Sequence, residues 1–82
     1  MVDNQNTVVK VNLNTMDSVV SFVKTLSAFD GHFDLIKGHY MVDAKSLLGI
    51  FSMNERACVN LRIMDNHDDM TDVMDALEPY LV

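Results

Sequence analysis

The chain has no tryptophan, a single cysteine at Cys58, a single proline at Pro79 and three glycines among its 82 residues. One cysteine rules out an internal disulfide, and a small domain without one fits a reducing compartment. With so little Pro and Gly there is no linker or low-complexity stretch, and no repeat of solenoid period occurs. No apolar run approaches the roughly 18 residues of a membrane span, and Met1 to Asn6 has neither the basic start nor the apolar core of a leader. The chain is therefore expected to be cytoplasmic and to bind no membrane. Positive charge is also scarce: six Lys and Arg against twelve Asp and Glu leave a formal charge of −6. Phosphate-backbone recognition needs clustered cations, so nucleic acid is not an expected partner. What the chain does have is apolar content, at 49% of positions. Residues 1–82 read as one small domain, which buries only about 60% of its unfolded surface, so any site it has is shallow.

The acidity is uneven. Residues 1–64 hold six acidic and six basic side chains, whereas Asp65, Asp68, Asp69, Asp72, Asp75 and Glu78 have no Lys or Arg among them. The excess negative charge belongs to one solvated helix face and serves solubility.

Hydrophobic period gives the element order. Val9, Val11 and Leu13 alternate with Lys10 and Asn12, the period of a half-buried strand. Val19, Phe22, Val23, Leu26 and Phe29 then recur at helical spacing, with Asn14 or Thr15 as N-cap, Asp17 in the first turn and Asp30-Gly31 as the stop. Phe33 and Leu35 alternate with His32, Asp34 and Ile36 up to a turn at Lys37-Gly38, and Tyr40 and Val42 form the returning strand. Ser46 caps a short apolar helix, Leu47 to Phe51. Val59, Leu61 and Ile63 alternate with Cys58, Asn60 and Arg62 as the last strand. Met70, Val73, Met74 and Leu77 mark a final helix, started by Asn66 with Asp69 in the capping-box position and loosened near Pro79. The order βαββαβα, with helices able to lie on one side, predicts an α+β open-faced sandwich: a four-stranded antiparallel sheet with three helices on one face.

With that order in hand, the run Val42-Asp43-Ala44-Lys45-Ser46-Leu47-Leu48-Gly49-Ile50 resembles the regulatory-serine segment of HPr, the histidine-containing phosphocarrier protein of the bacterial sugar phosphotransferase system. Phe22-Val23-Lys24 and its spacing to Ser46 also match without a gap, and the resemblance extends over about residues 6–82. It implies the same βαββαβα open-faced sandwich. The loop Met53 to Arg56 is shorter than the family's usual glycine-containing connection. Phosphate-carrying members open their first helix with a Gly-Leu-His-x-Arg-Pro type motif, in which the His accepts the phosphoryl group and the Arg stabilises it. Here Thr15 stands where that His would be, Asp17 where the Arg would be and Ser18 where the Pro would be. Transient phosphoryl carriage needs a nucleophile that is strong near neutral pH, which imidazole is and an alkyl hydroxyl is not. Asp17 adds repulsion: two unit charges about 4 Å apart at an effective dielectric near 20 interact by about 4 kcal/mol. The site is thus read as degenerate, with no catalytic residue.

The resemblance further implies that Ser46 is the position phosphorylated by an ATP-dependent HPr kinase in many Gram-positive bacteria, the product then binding a transcriptional regulator of carbon catabolite repression. Ser46 also has a plain capping role, and a phosphate there would lie at a helix N-terminus beside Lys45. In the family fold Leu47, Leu48 and Phe51, with Val20 and Lys24, form a docking surface for protein partners, although helical spacing alone would let two of those three apolar residues pack inward. His32, His39 and His67 lie in separate elements without metal-ligand spacing. Asp65 to Asp69 resembles the start of a calcium loop, but Met70 and Ala76 stand where the required Gly and Glu should be. No metal and no cofactor is expected. Cys58 shares a strand side with Asn60 and Arg62 and has no activating neighbour, and the seven Met are read as core filler. The expected role is that of a non-enzymatic HPr-like regulatory or protein-interaction domain. The alternatives are a working phosphocarrier in sugar transport with a non-standard acceptor, and a purely structural binding module.

Overall fold

The computed structural model describes residues 7–64 and 67–82. Four strands and three helices alternate as β1 (Thr7–Val11), α1 (Met16–Leu26), β2 (His32–Lys37), β3 (Tyr40–Asp43), α2 (Leu47–Phe51), β4 (Val59–Met64) and α3 (Met70–Leu77), followed by a 3-10 turn at Glu78–Tyr80. The strands form one antiparallel sheet in the order β1-β4-β2-β3. This is the α+β architecture expected from the periods.

Alternation decides which face is covered. Val9 and Val11, Val59, Leu61 and Ile63, and Phe33 and Leu35 point to one side, where Val19, Phe22 and Leu26 of α1, Ile50 of α2, and Val73 and Leu77 of α3 join them in a single core. Phe22 meets Tyr80 edge to face at 5.3 Å between ring centroids, which ties the end of the chain to α1. The same segment pairs with the outer edge of β1 through a bridge between Val11 and Leu81. Asn12 N–H donates to the Tyr80 carbonyl there, and Val82 N–H to that of Lys10.

Several local expectations shift. Helix α1 stops at Leu26 rather than at Asp30-Gly31, because Ala28 and Phe29 N–H turn back to the Thr25 and Leu26 carbonyls; Phe29 still packs on the core from beyond the helix. The hairpin turn is Gly38-His39 instead of Lys37-Gly38, since Lys37 already pairs with Tyr40, and Gly38 takes the left-handed φ of +61° that such a tight turn needs. Asp69 caps α3 by accepting from Thr71 N–H, so it is the cap and not the third helical residue, while Asn66 lies outside the described residues. Cys58 precedes β4 and is exposed. Of the methionines, Met53 is buried and Met70 and Met74 pack on the core, but Met16 and Met41 are exposed, which corrects the reading of all seven as filler. Among the described residues no helix is long and apolar enough to cross a membrane.

Candidate functional site

The segment leading into α1 uses its polar atoms on itself. Thr15 has an extended backbone and is the N-cap; its Oγ1 accepts from Ser18 N–H at 3.1 Å, while Thr15 N–H donates back to Ser18 Oγ at 3.2 Å. The Ser18 hydroxyl proton goes to the Thr15 carbonyl at 2.7 Å. This is a reciprocal capping box in which a serine does what Glu or Gln usually does at the third helical position. Both hydroxyls are thereby committed to closing the helix. Asp17, exposed in the first turn, is favourably placed against the helix dipole and unfavourably placed for any anion that approached.

The second segment is built around Ser46. Its Oγ accepts from Gly49 N–H at 3.1 Å and so caps α2. Gly49 eases that approach, since a Cβ there would sit 3.2 Å from Ser46 Oγ and 3.3 Å from Val42 Cβ, and a neighbour would have to give by a few tenths of an ångström. Lys45 is not aimed at Ser46. Its ammonium donates to the Phe29 carbonyl at 2.6 Å and lies 5.3 Å from the centre of the Phe33 ring, so the cation expected beside a phosphate is already engaged.

Helices α1 and α2 are in contact, and each carries exposed apolar residues. Leu48 is 83% exposed, Leu47 38% and Val20 39%, and Lys24 is exposed in the last turn of α1. Phe51 differs from the surface expectation: it is half-buried against the core, with the Arg56 guanidinium 5.7 Å from its ring centre. The inward packing that helical spacing allows for two of the three α2 residues holds for Phe51 alone. A further member of the exposed ridge, Met16, is 68% exposed. The signal for it was in the sequence, because Met16, Val20 and Lys24 follow one another at i, i+4 on the side of α1 away from Val19, Phe22 and Leu26.

Arg56 also bears on the site. Its Nε donates to the Leu13 carbonyl at 3.0 Å and its Nη1 to that of Met53 at 3.2 Å, which fixes the backbone two residues before Thr15. Nothing in the spacing of Met53 to Arg56 announced this. His32, His39 and His67 are exposed and separate, and among the described residues no three His, Cys, Asp or Glu side chains group as metal ligands would.

No protein-family profile and no curated protein matches this chain. A solved structure does. The chain is similar to the crystal structure of HPr-C-His from Thermoanaerobacter tengcongensis, with a TM-score of 0.63 over 92% of each chain at 22% sequence identity. The fold is HPr-like. At that identity the likeness establishes the architecture of sheet and helices, and the residues at the two helix starts must speak for themselves.

Proposed function

We propose that this chain is a non-enzymatic, HPr-like protein-interaction and regulatory domain that has given up histidine phosphotransfer and is controlled through Ser46. The observation that carries the reading is the reciprocal bonding of Thr15 and Ser18, with Asp17 in the first turn beside them. A phosphocarrier needs a nucleophile that is strong near neutral pH and a cation there; this segment has two alkyl hydroxyls, both used in the cap, and an anion. Thr15 as a substitute acceptor would give a stable phosphate ester, which is the wrong chemistry for a transient carrier though not for a regulatory mark such as that proposed at Ser46. Beside the altered segment, Met16, Val20, Leu47 and Leu48 stay exposed on contacting helices, the kind of apolar surface that docks a protein partner.

The resemblance around Ala44-Lys45-Ser46 supports Ser46 as the regulatory position, with an ATP-dependent HPr kinase and a transcriptional regulator as partner classes. The test is intact-mass spectrometry after two incubations. Phosphoenolpyruvate with enzyme I leaves the mass unchanged, and a gained acid-labile phosphate overturns the reading. HPr kinase with ATP adds one phosphate that Ser46→Ala abolishes, and an unmodified wild-type chain removes the Ser46 branch.

A further inference from the structure

The tip of the β2–β3 hairpin and the loop between α2 and β4 border two adjoining open concavities, one of which reaches the start of α1 at Asn14. One, of about 300 Å³, is lined by Asn14, Lys37, Asn54, Glu55, Arg56, Ala57 and Cys58. The other, of about 440 Å³, shares Lys37, Asn54 and Glu55 with it and adds Tyr40, Ser52 and Met53. Thr15, Asp17 and Ser18 are in neither wall.

The first concavity holds two cations whose positions are fixed by main-chain oxygens. Lys37 Nζ donates to the Cys58 carbonyl at 3.1 Å, and Arg56 is held by the Leu13 and Met53 carbonyls and by the ring of Phe51. Among the described residues, neither has a carboxylate within ion-pair distance; the ion pairs there are His32 with Asp34 and Arg62 with Asp34. A guanidinium has five N–H donors, of which these carbonyls use two, and an ammonium has three, of which one is used. In a protein of charge −6, two cations held by main-chain oxygens in the wall of one concavity, with a single carboxylate, Glu55, beside them, favour an anion there in electrostatic terms. The planar guanidinium beside a point charge suits a tetrahedral oxyanion, and Asn14 and Asn54 in the same wall carry amides able to donate to one. Glu55 opposes a fully deprotonated anion and accepts from one that carries a proton. That combination selects phosphate over sulfate.

We infer that the Lys37–Arg56 concavity binds a phosphate group, with the adjoining space over Tyr40 and Ser52 left for whatever the phosphate is attached to. The inference is independent of Ser46 and of the exposed helix ridge. Its test is a ¹H–¹⁵N NMR titration of the whole chain at constant ionic strength, with inorganic phosphate and glycerol phosphate as probes and sulfate as control. The expected result is saturable shifts confined to Asn14, Lys37 and 54–58, with a midpoint of about 1 mM. Sulfate should bind more weakly, and Lys37→Gln should raise the midpoint about tenfold while leaving the rest of the spectrum in place. Asn54→Ala, at an exposed position, gives a second reading that does not depend on any held contact. The tighter of the two phosphate probes states whether the group is bound free or as an ester. Shifts that rise linearly, shifts spread over the surface, equal binding of sulfate, or a midpoint indifferent to Lys37→Gln each overturn the site.

Discussion

Asp34 sits on the open face of the sheet, where strand alternation puts a side chain in water, yet the residue is only 6% exposed. The cover comes from its neighbours. Arg62 lies directly across in the β2–β4 register and donates from Nη2 to Oδ2 at 3.0 Å, while His32, two residues earlier on the same face, places Nε2 3.2 Å from Oδ1. A carboxylate so enclosed depends on its partners, because losing one leaves a charge that water cannot fully reach. Arg62→Met keeps the apolar stem and removes the guanidinium. The expected cost is about 2 kcal/mol, below the full value for a buried pair because Arg62 remains partly in solvent, and urea denaturation at neutral pH measures it. The double variant with Asp34→Asn should recover part of that loss, since no charge is then stranded; additive losses would mean that the pair contributes only packing. Periodicity placed Asp34 correctly on the outer face and gave no sign of its burial, which follows from a neighbour on another strand 28 residues away in sequence.

Elements were legible to the extent that their signal was local. The helical stripe of Val19, Phe22 and Leu26 and the alternation of Val59, Leu61 and Ile63 each declared their element and its inward face, since one period of apolar residues suffices for that. The start of α1 was legible to within one residue, at Asn14 or Thr15, and the structure selects Thr15; its partner in the capping box was not legible, because Ser18 is an unusual residue for that role. Helix α3 shows the reverse case. Its acidic composition is plain in the sequence, and the structure adds where each charge falls relative to the dipole. Asp72 in the first turn is favourable, whereas Asp75 lies in the last turn, which has no basic residue. Asp75→Lys exchanges an unfavourable end charge for a favourable one at an exposed position and lowers the overall repulsion of the −6 chain. It should raise stability by about 0.5–1 kcal/mol at low salt, and the gain should shrink in 1 M NaCl (about 3 Å screening length); a gain unaffected by salt would point to helix propensity instead.

At the scale of the whole molecule, the sheet and the three helices close one apolar core, and the ridge of Met16, Val20, Leu47 and Leu48 lies outside it. Exposed apolar residues contribute little to folding, so their removal separates binding from stability in a way that core changes cannot. Phe51 is the wrong probe for this purpose: it packs on the core and beside Arg56, and its truncation would disturb both α2 and the backbone that Arg56 holds at Leu13. Leu48 is the right one, with 83% of its surface in solvent and two positions after the capping Ser46. Leu48→Glu should leave the melting midpoint within about 2–3 °C of wild type, since surface substitutions away from special features stay within about 0.5 kcal/mol. If the ridge docks the kinase proposed to modify Ser46, the same change should lower kcat/KM for Ser46 phosphorylation by about thirtyfold or more, the loss expected when a charge replaces an apolar contact of about 2 kcal/mol at an interface. The split between binding and chemistry carries the argument: a rise in KM with kcat held marks a docking ridge. Unchanged kinetics would mean that the kinase reads only the short Ser46 segment, and that the apolar surface over α1 and α2 serves a different partner.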